Sequence, residues 1–163
     1  MKKIIYYLFV CFSFLSSSCS EDVTPPDVST SAPITTIVVC PSGGTCQTFS
    51  NEDGAEQFAT MEKKSQYTIF INAQDDEGVR ALSAIYTISN SDNDTIDNGS
   101  ILIEEDDSSN PQNALYYDTT LTIAPDAEHL FLSAWGWNYG GDFNIDFADV
   151  YPFGVLISLT SGN

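Results

Sequence analysis

The chain has 163 residues, 42% of them hydrophobic, with 23 Asp and Glu against five Lys and Arg and a formal net charge of −18. That length and apolar content suit one core of ordinary size. So acidic a composition excludes a nucleic-acid binder, which needs clustered Lys and Arg to displace counterions from phosphates, and it disfavours anionic lipid surfaces for the same reason.

Residues 1–18 begin with Lys2 and Lys3, continue through about a dozen mostly apolar residues from Ile4 to Leu15, and end in three serines before Cys19. This is the layout of a secretory signal, and its apolar run falls short of the roughly 20 residues a membrane-spanning helix needs. Leu15-Ser16-Ser17-Ser18-Cys19 resembles the lipobox of bacterial lipoproteins, although Ser16 stands where an aliphatic residue is usual. The resemblance implies removal of residues 1–18 and diacylation of Cys19, the palmitate-type anchor of a chain held at a membrane without crossing it. Ser20-Glu21-Asp22 looks like the short acidic tract of surface-exposed Bacteroidetes lipoproteins, which implies the outer leaflet of the cell outer membrane. Without the signal, Lys63, Lys64 and Arg80 are the fixed cations left against 23 carboxylates, a net charge of −20. Such an excess serves first to keep a surface protein solvated.

Residues 19–33 carry the lipidated end and a Pro/Ser/Thr tether, VTPPDVSTSAP, with almost no bulky apolar residue. In a polyproline-like form ten residues of it would lift the remainder roughly 30 Å from the bilayer. Residues 34–163 are the predicted domain. Residues 34–40, ITTIVVC, read as its first strand. Cys40 and Cys46 bracket a Pro-Ser-Gly-Gly-Thr loop, which predicts a local disulfide in an oxidising compartment, worth about 2 to 2.5 kcal/mol in the chain-entropy description. Residues 51–64 have the one helical composition in the chain, so a turn or a single short helix, with Asn51 or Asp53 as its cap, is expected there. Phe58 and Met61, three apart, would then share a face and cover one open end of the fold.

Residues 67–89 read as a strand, a tight turn ending at Gly78, and a second strand. Tyr67, Ile69, Ile71 and Ala73 alternate onto one face, the period-2 pattern of a half-buried strand, whereas the blurred alternation of 79–89 suits a central strand. Ala73-Gln74-Asp75-Asp76-Glu77-Gly78-Val79 resembles the Ala-x-Asp-x-x-Gly-Val phrase between two strands of bacterial immunoglobulin-like and cadherin-like sandwich modules. The stretch from Leu132 to Gly141, LSAWGWNYGG, resembles the later strand and Gly/Asn turn of the same modules, in the same order.

Residues 91–100, SDNDTIDNGS, read as a long exposed loop before a strand at 101–103, and 104–112 as a second acidic loop. In 114–124, Leu115, Tyr117, Thr119, Leu121 and Ile123 fall on one side; a strand over 129–137 follows, and Phe153, Val155, Ile157 and Leu159 alternate in a closing strand. About seven strands at this spacing predict an all-β, immunoglobulin-like antiparallel β-sandwich with at most one short helix.

Chemistry is sparsely signalled. His129 is the one imidazole and stands beside an apolar strand with no nucleophile motif, and the carboxylates adjoin Ser, Asn and Gly as solvated turns do, so no catalytic residue is assigned and the chain is read as a non-enzyme. Calcium is the cofactor the acidic turns suit best: Asp75, Asp76 and Glu77 could meet Asp92, Asn93, Asp94 and Asp97 if both turns lie at one end of the sandwich. The aromatic run Trp135, Trp137, Tyr139, Phe143, Phe147 and Tyr151 offers a ligand-binding surface. Trp135 and Trp137 point the same way from a strand. They are expected to fill the core, and, if they face solvent instead, to form a flat platform for sugar rings or a protein patch beside Asn138 and Asp142. The sequence therefore reads as an outer-membrane lipoprotein serving as a non-catalytic binding, adhesion or structural module, the alternative being a glycan-binding accessory of polysaccharide uptake. Its partners would be the membrane through the lipid, and a surface protein or glycan.

Overall fold

The computed structural model describes residues 33–76, 78–105, 112–138 and 153–161. The signal, Cys19 and all but the last residue of the tether lie outside them. Among the described residues the order is β1 (Ile34–Pro41), β2 (Gln47–Ser50), a 3-10 turn (Asn51–Asp53), β3 (Glu56–Glu62), β4 (Gln66–Gln74), β5 (Val79–Ser89), β6 (Thr95–Glu104), β7 (Ala114–Thr122), β8 (His129–Asn138) and β9 (Phe153–Thr160). A four-stranded sheet, β2-β1-β4-β7, packs on a five-stranded sheet, β3-β9-β8-β5-β6. This is the predicted all-β sandwich, and its strand order is the immunoglobulin-like one, with the leading edge divided between the sheets.

The period-2 patterns explain the packing. Ile37 and Val39 of β1, Tyr67, Ile69, Ile71 and Ala73 of β4, and Leu115 and Leu121 of β7 meet Leu82, Ala84 and Ile88 of β5, Leu130, Leu132 and Ala134 of β8, and Phe153, Val155, Ile157 and Leu159 of β9. Each strand contributes alternate residues to this one core, as a sandwich requires. Gly136 of β8 faces the opposite sheet; a Cβ there would stand 2.8 Å from that of Ala73, so no larger residue fits without backbone movement.

Four expectations are corrected by the tertiary pairing. The strands are nine among the described residues rather than about seven, and β3 pairs with β9 in parallel while the other pairs are antiparallel. Residues 56–62 form that strand, not a helix: an open edge of β9 offers a full ladder of hydrogen bonds, which outweighs a weak helix preference. A separation of three then puts Phe58 and Met61 on opposite faces, so Met61 is 5% exposed in the core and Phe58 75% exposed outside. Secondly, β4 and β5 do not pair. Their connection crosses from one sheet to the other, with Gly78 at φ 95, a conformation side-chain-bearing residues rarely adopt. Thirdly, the predicted loop over 91–100 is a tight hairpin turn followed at once by β6. Asn90 Oδ1 accepts from the backbone N–H groups of Asp92 and Asp94, at 3.0 and 2.9 Å, and Asn93 takes φ 64, so the turn closes in fewer residues than its composition suggests. Lastly, Asn51 does not cap a helix; its amide accepts from Thr35 N and donates to the Pro33 carbonyl, both at 3.0 Å, fastening the start of β1.

Candidate functional site

The predicted disulfide forms between Cys40 and Cys46, tying the end of β1 to the start of β2. The acidic turns do not converge. Asp75 and Asp76 precede β5 and Asp92 and Asp94 follow it, so the 11 residues of that strand hold them about 35 Å apart. The assumed shared end of the sandwich does not exist for these four residues. Among the described residues no group of three or more His, Cys, Asp and Glu could hold a metal ion. Asp75 is engaged otherwise: its Oδ2 accepts from Asn138 Nδ2 at 3.3 Å, joining the crossover turn to the end of β8. Asn138, expected beside a sugar platform, is buried in that contact.

Trp135 and Trp137 also depart from expectation. Leu132 and Ala134 of the same strand lie in the core, so both tryptophans project from the opposite, outer face of the five-stranded sheet, where they are half-buried. Nor are they a flat platform. Their rings meet edge to face, with centroids 5.8 Å apart and planes at 75°, the arrangement favoured when the positive edge of one ring meets the negative face of the other. Tyr139, Phe143, Phe147 and Tyr151 lie outside the described residues.

The tryptophans belong to a wider apolar surface. In the register of this sheet, Phe131 of β8 stands beside Leu156 of β9 and then Phe58 of β3, while Trp135 stands beside Ser83 of β5 and then Leu102 of β6. Ile85 sits diagonally between Phe131 and Trp135. Phe58 and Leu102 are 75% and 59% exposed, and Ile85 and Phe131 are exposed as well. The result is one apolar band crossing all five strands, edged by Glu56, Glu62 and Glu104. Phe58, Ile85, Leu102 and Phe131 are not singled out as surface groups by the sequence; the signal for them is that large apolar residues occupy the outward half of each strand's alternation. Two polar atoms on this face, Trp135 Nε1 and His129 Nδ1, are buried without a hydrogen-bond partner.

The outer face of the four-stranded sheet differs. There Thr36, Asn72 and Tyr116 stand side by side on β1, β4 and β7, and Val38, Phe70 and Asp118 form the next row. Together they line a shallow depression of about 190 Å³. Tyr116 is 70% exposed and Phe70 45%, and Asn72 Oδ1 is buried with no partner. At the open side between the sheets Tyr86 of β5 donates its hydroxyl to Asp97 Oδ2 at 3.3 Å; burial and then the Asp97 carboxylate raise its pKa above the ordinary tyrosine value. No protein-family model matches the chain, and no curated protein matches it in sequence.

Proposed function

We propose that this chain is an outer-membrane lipoprotein, anchored through acylated Cys19, that works as a non-catalytic binding or adhesion module and docks a surface partner on the outer face of its five-stranded sheet. The observation that carries the reading is the apolar band from Phe58 through Leu156 and Phe131 to Trp135 and Leu102. Exposed large apolar side chains gathered on one face within a polar rim mark an interaction site. The acidic rim, Glu56, Glu62 and Glu104, favours a partner that presents Lys or Arg around an apolar centre and opposes self-association of so negative a chain. The anchor rests on the lipobox-like Leu15 to Cys19 stretch.

Photo-cross-linking in cells tests the docking. With a photoreactive residue at Phe58 or Leu102 of the full-length chain, a discrete adduct is expected, and none with the same residue at the exposed Thr120 of the other sheet. Equal labelling at all three positions, or none, would refute it. Intact mass of the same protein checks the anchor: a first residue without acyl mass removes it.

A further inference from the structure

The depression on the four-stranded sheet is built differently from the band on the five-stranded sheet, and its chemistry points to another ligand. Its lining is mostly apolar, with the rings of Phe70 and Tyr116 on adjacent strands, diagonal to each other, and with Thr36, Asn72 and Asp118 as the polar groups among them. Diagonal neighbours in antiparallel strands lie about 7 to 8 Å apart, and three strands span roughly 10 Å. That area and the volume of about 190 Å³ suit one sugar ring or a disaccharide and are too small for a helix or a folded surface.

Three features narrow the class. An aromatic face carries negative quadrupole charge, which attracts the weakly positive C–H groups that line one face of a pyranose ring. The polar groups here include the Asn72 amide, the Thr36 hydroxyl and the Asp118 carboxylate, with no cation among the lining residues, which suits hydroxyl donors and repels carboxylate or sulfate. Asn72 Oδ1, in addition, is held away from water with no donor, an unfavourable state that a donor reaching it would relieve. Asn72 lines the depression, and rotation about the terminal torsion of Asn is soft, so its amide can turn toward a hydroxyl lying there.

We infer that the outer face of the four-stranded sheet binds a neutral saccharide, stacked on Phe70 and Tyr116 and hydrogen-bonded to Asn72 and Asp118. The site is separate from the docking band and does not depend on it. Calorimetric titration of the detergent-solubilised full-length protein tests it, using cellohexaose, laminarihexaose, maltohexaose and mannohexaose, with the anionic hexamer of galacturonic acid as the contrast. At least one neutral hexasaccharide is expected to bind and the anionic one not to. Tyr116→Ala and Phe70→Ala should each weaken that binding about tenfold, the equivalent of about 1.4 kcal/mol, and Asn72→Leu should weaken it as well. Asp126→Asn, at an exposed position in the turn between β7 and β8, should leave it unchanged, and melting curves identify any variant that fails to fold. Absence of binding to all four neutral sugars, preference for the anionic one, or binding that survives both aromatic substitutions overturns the inference.

Discussion

The two sheets carry similar inner faces and opposite outer ones. Inside, both present Ile, Leu, Val and aromatic residues to one shared core. Outside, the four-stranded sheet shows Thr36, Thr68, Asn72, Asp118 and Thr120 around Phe70 and Tyr116, whereas the five-stranded sheet shows Phe58, Ile85, Leu102, Phe131 and Leu156 in one band. Inner positions are constrained by packing density, so chemistry there is nearly interchangeable between the sheets. Outer positions are free of that constraint. A departure from ordinary polar composition there therefore carries information about what the surface meets.

The largest expected effects probe the part the sheets have in common. Leu132→Ala on β8 and Ile69→Ala on β4 should each cost about 2 to 5 kcal/mol in denaturant unfolding, because both side chains are fully enclosed. If one of the two costs less than about 1 kcal/mol, the inner faces are not equivalent and one sheet contributes little to the core. Next comes the feature peculiar to the four-stranded sheet. Replacing Cys40 and Cys46 together with Ser should lower stability by about 2.4 kcal/mol, read as a fall in denaturant midpoint, and should leave the cross-linking from Phe58 and Leu102 intact.

The smallest effect sharpens how the sheets are joined. Tyr67 of β4 donates its hydroxyl to the carbonyl of Glu62, the last residue of β3 in the opposite sheet, at 2.6 Å. Burial raises its pKa above the ordinary 10.0; the Lys64 backbone partly offsets this and the Glu62 carboxylate adds to it. Because the neutral hydroxyl is favoured by the fold, this stabilisation is complete below pH 10 and is lost as the pH climbs through the raised value. Tyr67→Phe should cost about 1 kcal/mol at neutral pH and flatten the alkaline decline of stability measured between pH 9 and pH 11. An unchanged alkaline slope would assign that decline to other groups.

Much of the fold was legible because strand alternation is a local property. Tyr67, Ile69, Ile71 and Ala73, like Phe153, Val155, Ile157 and Leu159, announce buried faces at period 2 without reference to anything distant. The Cys40 to Cys46 bridge was legible for the same reason, being closed by a short loop with two glycines. Residues 51–64 show where this stops. Their composition hints at helix, and only the vacant edge of β9, about a hundred residues later in the chain, makes residues 56–62 a strand.

The candidate surfaces lie on the far side of that line. Whether Trp135 and Trp137 face the core or the outside is undetermined by alternation alone, since both phases bury something; the answer depends on which partner strands Leu132 and Ala134 meet across the sandwich. The acidic turns are the opposite case: the strand read over 79–89 already puts Asp75 and Asp92 at its two ends, and the 11 residues of β5 keep them there. The amino-acid order by itself set the strands other than β2, β3 and the first half of β6, together with their alternating buried residues and the disulfide, all of which follow from spacing within a few residues. Which side chains end up together on an outer face, Phe58 with Phe131 or Phe70 with Tyr116, was decided by strand order and register, which are long-range pairings that no local pattern encodes.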